Sequence, residues 1–292
     1  MNIIDGKKIA DEIKSEIAKE VSELLNNGKK APHLAAIIVG EDPASLTHVS
    51  NKEKACHNVG FISSVYRYPS TISEKDLLEA IEFINNDDDI NGLIVQQPLP
   101  NHISVDKIIE KINYTKDVDG FHPINFGRMA SNLPALVAAT PLGILELLKR
   151  SGIETEGKHC VVLGRSHIVG SPMSILLARK ANPGNCTVTI CHSKTKNIKE
   201  MSIQADILIV AMGKLEYVKA DMVKEGAVVI DVGMHRVASD ETKSGFRLKG
   251  DVKFDEVSQK CSYITPVPGG VGPMTITALL MNTLKAAKKE IW

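Results

Sequence analysis

In residues 7–27, apolar side chains recur every three or four positions, which is the spacing of one face of an amphipathic helix. They are Ile9, Ile13, Ile17, Val21 and Leu24. The pattern stops at the turn-forming sequence Asn26-Asn27-Gly28. The first element is therefore predicted to be a helix over residues 7–27.

Short apolar runs and helical patterns then alternate along the chain. The runs HLAAIIVG, FISSVYRY and INGLIVQQPLP predict strands. Helices are predicted for a segment that ends at about Val59 and for the segments SEKDLLEAIEFINN and SVDKIIEKI. Asp42 or Ser45 can cap the first of these helices, and Pro43 is tolerated in its first turn. This alternation predicts a parallel sheet with helices on both faces.

A change of pattern follows this first alternating set. The segment YTKDVDGFHPINFGRMA is polar, aromatic and marked by glycine and proline, so it is predicted to be a loop. ATPLGILELLKRSG restarts a helical pattern, with Thr140 as the cap, Pro141 in the first turn and Gly152 just past the end. We place the connection between two domains around this helix.

The second half repeats the alternation of strands and helices. Strands are predicted in HCVVLG, NCTVTICH, ADILIVAMG, GAVVIDVG and SYITPVPGG, with helices after the first two, and MTITALLMNTLKAAKKE predicts a last helix that is apolar on one side. The chain is thus predicted to be an α/β protein in which each half has a mostly parallel sheet flanked by helices.

Length and charge bound the class of protein. The 292 residues are typical of two domains, and 43% hydrophobic residues can fill one or two cores. Lys plus Arg and Asp plus Glu each number 35, so the charge balance gives no reason to expect a nucleic-acid or anionic-membrane partner. The start lacks the features of a signal peptide, and no apolar run nears the roughly 20 residues of a membrane helix. We expect a soluble, cytoplasmic protein.

Cysteine and histidine usage predicts no metal site. The five cysteines form no CxxC pair, and the nine histidines show neither HExxH spacing nor a tight cluster with cysteine. The cysteines are therefore expected to be reduced thiols that serve as small core residues.

The segment VVLGRSHIVGSP places Gly164 at the end of an apolar strand and Gly170 at the start of a helix. Such a turn can present backbone N–H groups and a helix N-terminus to a pyrophosphate, although a glycine turn without a ligand has the same pattern. The next strand ends about 20 residues on at His192 and Ser193, where an NAD site usually offers a carboxylate to the ribose. With Arg165 nearby and no carboxylate, we favour NADP over a polar solvated turn.

Two further segments carry candidate ligand-binding residues. Gln96 and Gln97 follow a predicted strand, where open parallel sheets bind ligands, although glutamines there often only solvate a loop. Asp117 and Asp119 could form a paired-carboxylate metal site, but no third ligand is near and turn chemistry also explains them. TPVPGGVGPMT is unusually rich in proline and glycine, which favours a stiff ligand wall.

Two lysines lie on the predicted second helix. His48 and Lys52 are four residues apart and share one helix face. Lys54 lies about 200° around the helix from Lys52, so at most one lysine can face a site together with His48. On pattern alone, both lysines would be assigned to solvated helix surface.

Taken together and in order, seven motifs resemble the bifunctional methylenetetrahydrofolate dehydrogenase/methenyltetrahydrofolate cyclohydrolase family. They are PASLTHVSNKEKACHNVG, GLIVQQPLP, KDVDGFHPINFGR, TPLGILELL, GRSHIVGSPM, CHSKT and TPVPGGVGPMT with the later Asn-Thr pair. The resemblance implies NADP-dependent oxidation of 5,10-methylenetetrahydrofolate and hydrolysis of the product to 10-formyltetrahydrofolate, a one-carbon donor for purine biosynthesis. It also implies a homodimer whose subunits have two lobes around a cleft, the second lobe a Rossmann-like NADP domain.

The resemblance also assigns roles to single residues. Lys52 matches the catalytic lysine, Gln96 the glutamine that contacts it, and Asp119 the acid that holds the pterin. The residues expected to bind the cofactor are Gly164, Arg165, Ser166, Gly170, His192 and Ser193, and those expected to bind the folate are His48, Pro266, Gly269 and Gly270. The folate domain is expected to span residues 1–139 and 271–292, and the NADP domain residues 140–270.

The chain departs from the family pattern at two places. His48 stands where a tyrosine that stacks on the pterin is usual, and Ala138-Ala139 replaces a common Pro-Cys. The first departure leaves open a dehydrogenase with impaired cyclohydrolase activity. A non-catalytic folate- or nucleotide-binding protein is a further alternative, against which the combination of Lys52, Gln96 and Asp119 argues.

Overall fold

The structure, a computed structural model, describes residues 1–242 and 245–291. The strands in this part of the chain are β1 (Asn2–Ile3), β2 (His33–Val39), β3 (Ile62–Tyr68), β4 (Gly92–Val95), β5 (His159–Leu163), β6 (Thr187–Cys191), β7 (Ile207–Val210), β8 (Val228–Asp231), β9 (His235–Ala238), β10 (Phe246–Lys249) and β11 (Tyr263–Ile264). The helices are α1 (Gly6–Asn26), α2 (Pro43–Asn58), α3 (Glu74–Asn85), α4 (Val105–Lys111), α5 (Pro123–Ala130), α6 (Ala139–Arg150), α7 (Gly170–Ala178), α8 (Ile198–Ser202), α9 (Phe254–Val257) and α10 (Val271–Lys288), with a 3₁₀ turn at Ala220–Met222.

The chain forms two compact units. The first, here called the six-stranded unit, contains residues 1–10 and 140–275, and the second, the three-stranded unit, contains residues 11–139 and those from Ile276 onward. Residues 1–10 lie in the six-stranded unit because Asn2 and Ile3 pair with Tyr263 and Ile264 of β11. The expectation from sequence had grouped these ten residues with the folate lobe.

The three-stranded unit is built on a parallel sheet in the order β3-β2-β4. Among these three strands β2 comes first in sequence and is central, so the strand order reverses between β2 and β4. Beneath the sheet is a core that includes Ile37, Leu77 and Leu93. The helix after β2 begins as predicted, since the Asp42 carboxylate accepts a hydrogen bond from Ser45 N over 2.8 Å and Pro43 occupies the first turn.

Two predictions near the domain connection were wrong. Residues 114–130 are not all loop, because α5 begins at Pro123, where the fixed backbone angle of proline suits a first turn. His122 caps this helix through Nδ1, which accepts from Ile124 N over 3.1 Å. Thr140 is not a cap, since α6 already begins at Ala139.

The six-stranded unit contains a parallel sheet in the order β1-β11-β8-β7-β5-β6. If its strands from β5 onward are renumbered 1 to 5 along the chain (β5, β6, β7, β8 and β11), the order read from the β6 edge is 2-1-3-4-5. This is the order of a doubly wound fold whose strand order reverses between β5 and β7. The core beneath it includes Val161, Leu208 and Val229. The mostly parallel α/β architecture is thus confirmed, whereas the short strand β1 and the antiparallel hairpin β9–β10 were not predicted.

All five cysteines are buried and free: Cys56, Cys160, Cys186, Cys191 and Cys261. Within residues 1–242 and 245–291, no helix combines the length and apolar character needed to cross a membrane.

Candidate active site and cofactor site

A lysine–glutamine pair lies at the carboxyl edge of the three-stranded sheet. The half-buried Lys52 of α2 donates a hydrogen bond from Nζ to Gln96 Oε1 over 3.1 Å. Gln96 directly follows β4, and its backbone N–H bonds to Ile37 O of β2 over 2.9 Å. Its amide is oriented as well, because Nε2 donates to Gln97 O over 2.6 Å. The pair therefore lies where the strand order reverses, the usual ligand position in such sheets.

Asp119 reaches the same edge by a different route. Asp117 forms a parallel bridge with Leu93 of β4, and Leu93 N donates to Lys116 O over 2.7 Å. Asp119 lies two residues after this bridge and lines one cavity together with Val95 and Gln97 at the end of β4. Burial raises the pKa of Asp119, and the charge of Lys52 acts in the opposite direction. The structure thus brings Lys52, Gln96 and Asp119 together.

Asp117 has a structural environment that differs from that of Asp119. It is 2% exposed, and burial raises its pKa to about 7 although backbone and amide donors oppose this shift. Both aspartates line a cavity of about 20 Å³ that is otherwise largely apolar. Among the described residues there is no group of three or more His, Cys, Asp or Glu side chains that could hold a metal ion.

The remaining candidates on α2 are exposed. His48 lies one helical turn before Lys52 on the same face, so a bound molecule can reach its ring. Lys54 is also exposed, as expected for helix surface.

The loop after β5 makes a tight strand–turn–helix connection in the six-stranded unit. Gly164 has φ +131°, and a Cβ there would lie 2.2 Å from Ala211 O. A Cβ on Gly170 would lie 2.2 Å from Gly164 O, so both positions require glycine. The helix that follows, α7, has no side-chain cap at Val169. Ser171 N already donates to Ser166 O over 3.0 Å and Pro172 has no N–H, so among the first three residues of α7 the N–H of Gly170 is the one left to face an anion such as a dinucleotide pyrophosphate.

Ser166 helps to shape this loop. Its Oγ accepts a hydrogen bond from Val169 N over 3.1 Å, which leaves its own proton available for donation to a ligand. Arg165 and Ser166 are both exposed.

The end of the neighbouring strand lies beside this loop. Leu163 of β5 pairs with Cys191 of β6, and Gly164 N donates to Cys191 O over 2.8 Å. This register brings the exposed Ser193 and the half-buried His192 next to the first residues of the loop. His192 Nδ1 accepts from Lys194 N over 3.2 Å and so helps to fold the turn.

A second loop at the reversal point of this sheet was not predicted from sequence. The three consecutive N–H groups of Met212, Gly213 and Lys214 after β7 donate to the Asp251 carboxylate over 2.7–2.8 Å. His235 Nε2 lies 2.7 Å from the same carboxylate. Successive N–H groups of this kind usually form an anion site. Because an internal carboxylate already occupies them, these N–H groups are not available to a bound phosphate.

A second buried carboxylate supports Asp251. Asp231 accepts from the N–H groups of Gly233, Asp251 and Val252 over 2.9–3.0 Å, and burial raises its pKa to about 6. A Cβ on Gly250 would lie 1.8 Å from Asp231 Oδ2. The Gly-Asp pair at 250–251 was the available signal in the sequence, but the function of the aspartate depends on contacts with residues about 40 positions away.

The proline- and glycine-rich loop follows β11 at the carboxyl edge of the six-stranded sheet. Gly269 has φ +102°, and a Cβ on Gly270 would lie 2.5 Å from Pro266 O. The loop is also held by the start of α1, since Lys7 N donates to Gly269 O over 3.0 Å. Pro266, Gly269 and Gly270 therefore belong to the six-stranded unit, and not to the unit that contains Lys52.

Two family models match the chain. The tetrahydrofolate dehydrogenase/cyclohydrolase catalytic domain matches residues 4–119, and the tetrahydrofolate dehydrogenase/cyclohydrolase NAD(P)-binding domain matches residues 138–291. The bifunctional protein FolD of Cytophaga hutchinsonii is 62% identical over 287 residues, which cover 98% of this chain and 99% of the relative.

Solved structures agree with the family models. The bifunctional FolD methylenetetrahydrofolate dehydrogenase/cyclohydrolase of Campylobacter jejuni is 47% identical with a TM-score of 0.93, and the match covers 99% of both chains. The Trypanosoma brucei methylenetetrahydrofolate dehydrogenase-cyclohydrolase, solved with NADP cofactor and an inhibitor, is 37% identical with a TM-score of 0.91 and coverage of 99% of this chain and 98% of that one. The chain belongs to the tetrahydrofolate dehydrogenase/cyclohydrolase family.

Proposed function

We propose that this chain oxidises 5,10-methylenetetrahydrofolate with NADP⁺ and then hydrolyses the resulting 5,10-methenyl cation to 10-formyltetrahydrofolate. The observation that carries the proposal is the group of Lys52, Gln96 and Asp119 at the reversal point of the three-stranded sheet. It combines a proton carrier, a group that orients it and a carboxylate that can hold a heterocycle.

The cofactor is NADP, which accepts the hydride released from the methylene carbon. In this proposal the N–H of Gly170 and the positive end of the α7 dipole bind its pyrophosphate, because Val169 supplies no side-chain cap at that helix end. Arg165, Ser166 and Ser193 bind the 2′-phosphate, since all three are exposed at the ends of the adjacent strands β5 and β6. Guanidinium and hydroxyl groups suit a phosphate, whereas the carboxylate typical of an NAD site is missing from this strand end.

Lys52 is the proton carrier of the hydrolytic step. Its amino group donates one N–H to Gln96 Oε1, and Gln96 is itself fixed through Gln97 O. The lone pair of a neutral amine held in this way has a defined direction, so it can take a proton from the water that attacks the one-carbon unit. A cationic substrate nearby favours the neutral amine.

Asp119 holds the pterin in the proposed complex. A carboxylate accepts hydrogen bonds from the adjacent N–H donors of a pterin ring, and such charge-assisted bonds are among the stronger ones. His48, exposed on the same helix face as Lys52, contributes its ring to the folate surface.

The domain roles follow from these assignments. We assign folate chemistry to residues 1–139 and 271–292 and NADP binding to residues 140–270. The catalytic-domain match over residues 4–119 and the NAD(P)-binding match over residues 138–291 support the assignments of 1–139 and 140–270, whereas residues 271–291 fall within the NAD(P)-binding match. We also propose that the enzyme is a cytoplasmic homodimer that supplies one-carbon units for purine biosynthesis. Five free cysteines, all buried, are compatible with a reducing compartment.

Two alternatives give different products. If His48 in place of tyrosine impairs the second step, methenyltetrahydrofolate accumulates and is seen by its absorbance. If the protein only binds folate or nucleotide, no NADPH appears.

One assay tests the proposal. The purified protein is incubated with methylenetetrahydrofolate and either NADP⁺ or NAD⁺, and NADPH or NADH, methenyl- and 10-formyltetrahydrofolate are followed together. We expect NADPH and 10-formyltetrahydrofolate in equal amounts and a clear preference for NADP⁺. Binding of both substrates without reduced cofactor would overturn the proposal.

A further inference from the structure

The short segment that carries Asp119 is held on one side by the neighbouring buried aspartate. Asp117 accepts hydrogen bonds from Phe121 N over 3.2 Å, His122 N over 2.8 Å and Asn125 Nδ2 over 2.9 Å. These bonds fold residues 117–122 into a closed turn. The direction of the Asp119 side chain is therefore set by a turn whose centre is the Asp117 carboxylate.

On the other side, the same segment is held by the last helix of the chain. The fully buried Asn282 of α10 donates from Nδ2 to Val118 O and to Val137 O, each over 2.8 Å. The amide group of Asn282 thus links Val118, the residue before Asp119, to Val137, which lies almost 20 positions further along the chain.

The amide of Asn282 acts through its donor side. Its Oδ1 is buried and has no hydrogen-bond partner among the described residues. The unpaired Oδ1 costs free energy, whereas the two hydrogen bonds from Nδ2 satisfy the carbonyls of Val118 and Val137. What the amide contributes is a fixed distance between two backbone segments.

Close backbone packing completes the arrangement. Gly120 has φ +73°, and a Cβ there would lie 2.4 Å from Ala138 N. Ala139 N donates to Asp119 O over 3.3 Å. Residues 138 and 139 therefore hold the peptide group that follows Asp119, and Asn282 holds the carbonyl of the peptide group that precedes it while it also binds Val137 O.

We propose that Asn282 and Asp117 are positioning residues that set the direction of the Asp119 carboxylate for folate binding. The inference rests on the proposed function, because it takes Asp119 as the group that holds the pterin. Neither residue needs to touch the substrate, and each acts through Asp119.

The first test compares two substitutions on one helix. Asn282→Leu removes both donated hydrogen bonds with little change in size. Thr283→Val is the matched control, because Thr283 is equally buried and its hydroxyl donates only within the helix, to Leu279 O over 2.8 Å. We expect Asn282→Leu to raise the KM for methylenetetrahydrofolate at least about fivefold, with the KM for NADP⁺ within about twofold of wild type. Thr283→Val should leave both unchanged.

A double-substitution cycle separates positioning from general loss of stability. The dissociation constant of tetrahydrofolate is measured by calorimetry for wild type, Asn282→Leu, Asp119→Asn and the double variant. If Asn282 acts through Asp119, its substitution should weaken binding much less in the Asp119→Asn background than in wild type. Equal weakening in both backgrounds, or equal changes in both substrate KM values, would overturn the inference.

A second variant keeps the test decisive if Asn282→Leu does not fold. Asp117→Asn keeps the shape of the side chain but cannot accept from Asn125 in the same way, and it should give the same selective rise in folate KM. If wild type binds tetrahydrofolate and makes NADPH while neither variant alters the folate KM, this inference fails and the proposed function stands. If wild type does neither, the proposed function itself has failed.

Discussion

Lys52 Nζ donates a hydrogen bond to Gln96 Oε1 over 3.1 Å, and this contact joins the middle of α2 to the end of β4. The two residues are 44 positions apart in sequence. Both lie at the carboxyl edge of the three-stranded sheet, where the strand order reverses between β2 and β4. The oxygen of a neutral amide orients the lysine without fixing a proton on it, as the proposed role of Lys52 as proton carrier requires.

Gln96→Glu tests this neutrality. A carboxylate at this position would pair with Lys52 and hold it protonated, so we expect the hydrolysis rate at neutral pH to fall about tenfold and the pH profile to move to higher pH. The measurement is the rate of methenyltetrahydrofolate hydrolysis against pH. Gln97→Glu, which adds the same charge at the neighbouring exposed position, should move the profile much less. A Gln96→Glu profile that matches wild type would contradict the role of the pair.

Arg165→Ala tests the preference for NADP. Loss of a charge-assisted phosphate contact costs ~1.5–3 kcal/mol, which corresponds to about a 10- to 150-fold rise in the KM for NADP⁺. The KM for NAD⁺, which has no 2′-phosphate, should change far less. Lys180→Ala is a suitable control, since Lys180 is exposed beyond the opposite end of α7. Equal effects of Arg165→Ala on the two cofactors would remove the basis for this assignment.

His48→Tyr tests whether the exposed ring on α2 only stacks on the pterin. Under that view the change is tolerated, and the KM for folate falls by no more than about tenfold, because aromatic contacts contribute ~0.5–1.5 kcal/mol. The check is the pH profile of hydrolysis in both proteins, corrected for the spontaneous reaction. A limb near the ordinary imidazole pKa of ~6.5 that only the wild type shows would assign His48 to proton transfer instead.

Asp117→Asn should change how stability depends on pH. Burial raises the pKa of Asp117 to about 7 in the folded protein, above the ~3.9 of aspartate in an unfolded chain. The folded state therefore binds this proton more tightly, so the stability from this group is fully present below about pH 4 and is lost as the pH rises to about 7. The asparagine variant does not titrate.

Denaturant unfolding of both proteins between pH 4 and 8 measures this effect. The difference in unfolding free energy should shift by a few kcal/mol in favour of the variant as the pH rises. Asp88→Asn, at an exposed position of the same unit, should show no such shift. A difference between wild type and Asp117→Asn that stays constant with pH would show that Asp117 remains ionised in the fold.

The sequence predicted the elements whose signals are local. The helical periodicity before Asn26 and the apolar runs of β2, β5 and β7 gave elements with nearly the observed bounds. Helix α5 was missed because proline and glycine were taken as loop signals, although Pro123 occupies a first turn. Strand β1 was missed because its two residues have no periodicity and pair with a partner about 260 positions away.

The residues of the candidate site also divide into those with a local signal in the sequence and those without one. Lys52 and Gln96 could be proposed from the resemblance to family motifs, and the loop of residues 164–170 from its glycine pattern as well, because each motif is continuous in sequence. Asp251 and Asn282 could not, since their functions in the fold depend on hydrogen bonds to distant backbone groups. A buried polar side chain shows its partners only when the tertiary structure is known.

The most direct test of the account supplies methenyltetrahydrofolate without NADP⁺ and follows the loss of its absorbance with wild type, Lys52→Met and Lys54→Met. Lys52→Met roughly keeps the length of the side chain and removes the proton carrier, while Lys54 is exposed on the same helix and serves as the control. The account predicts hydrolysis at similar rates by wild type and Lys54→Met, and only the spontaneous rate with Lys52→Met, which should still fold and bind NADP⁺. Hydrolysis by Lys52→Met at the wild-type rate would contradict it and show that another group performs the chemistry.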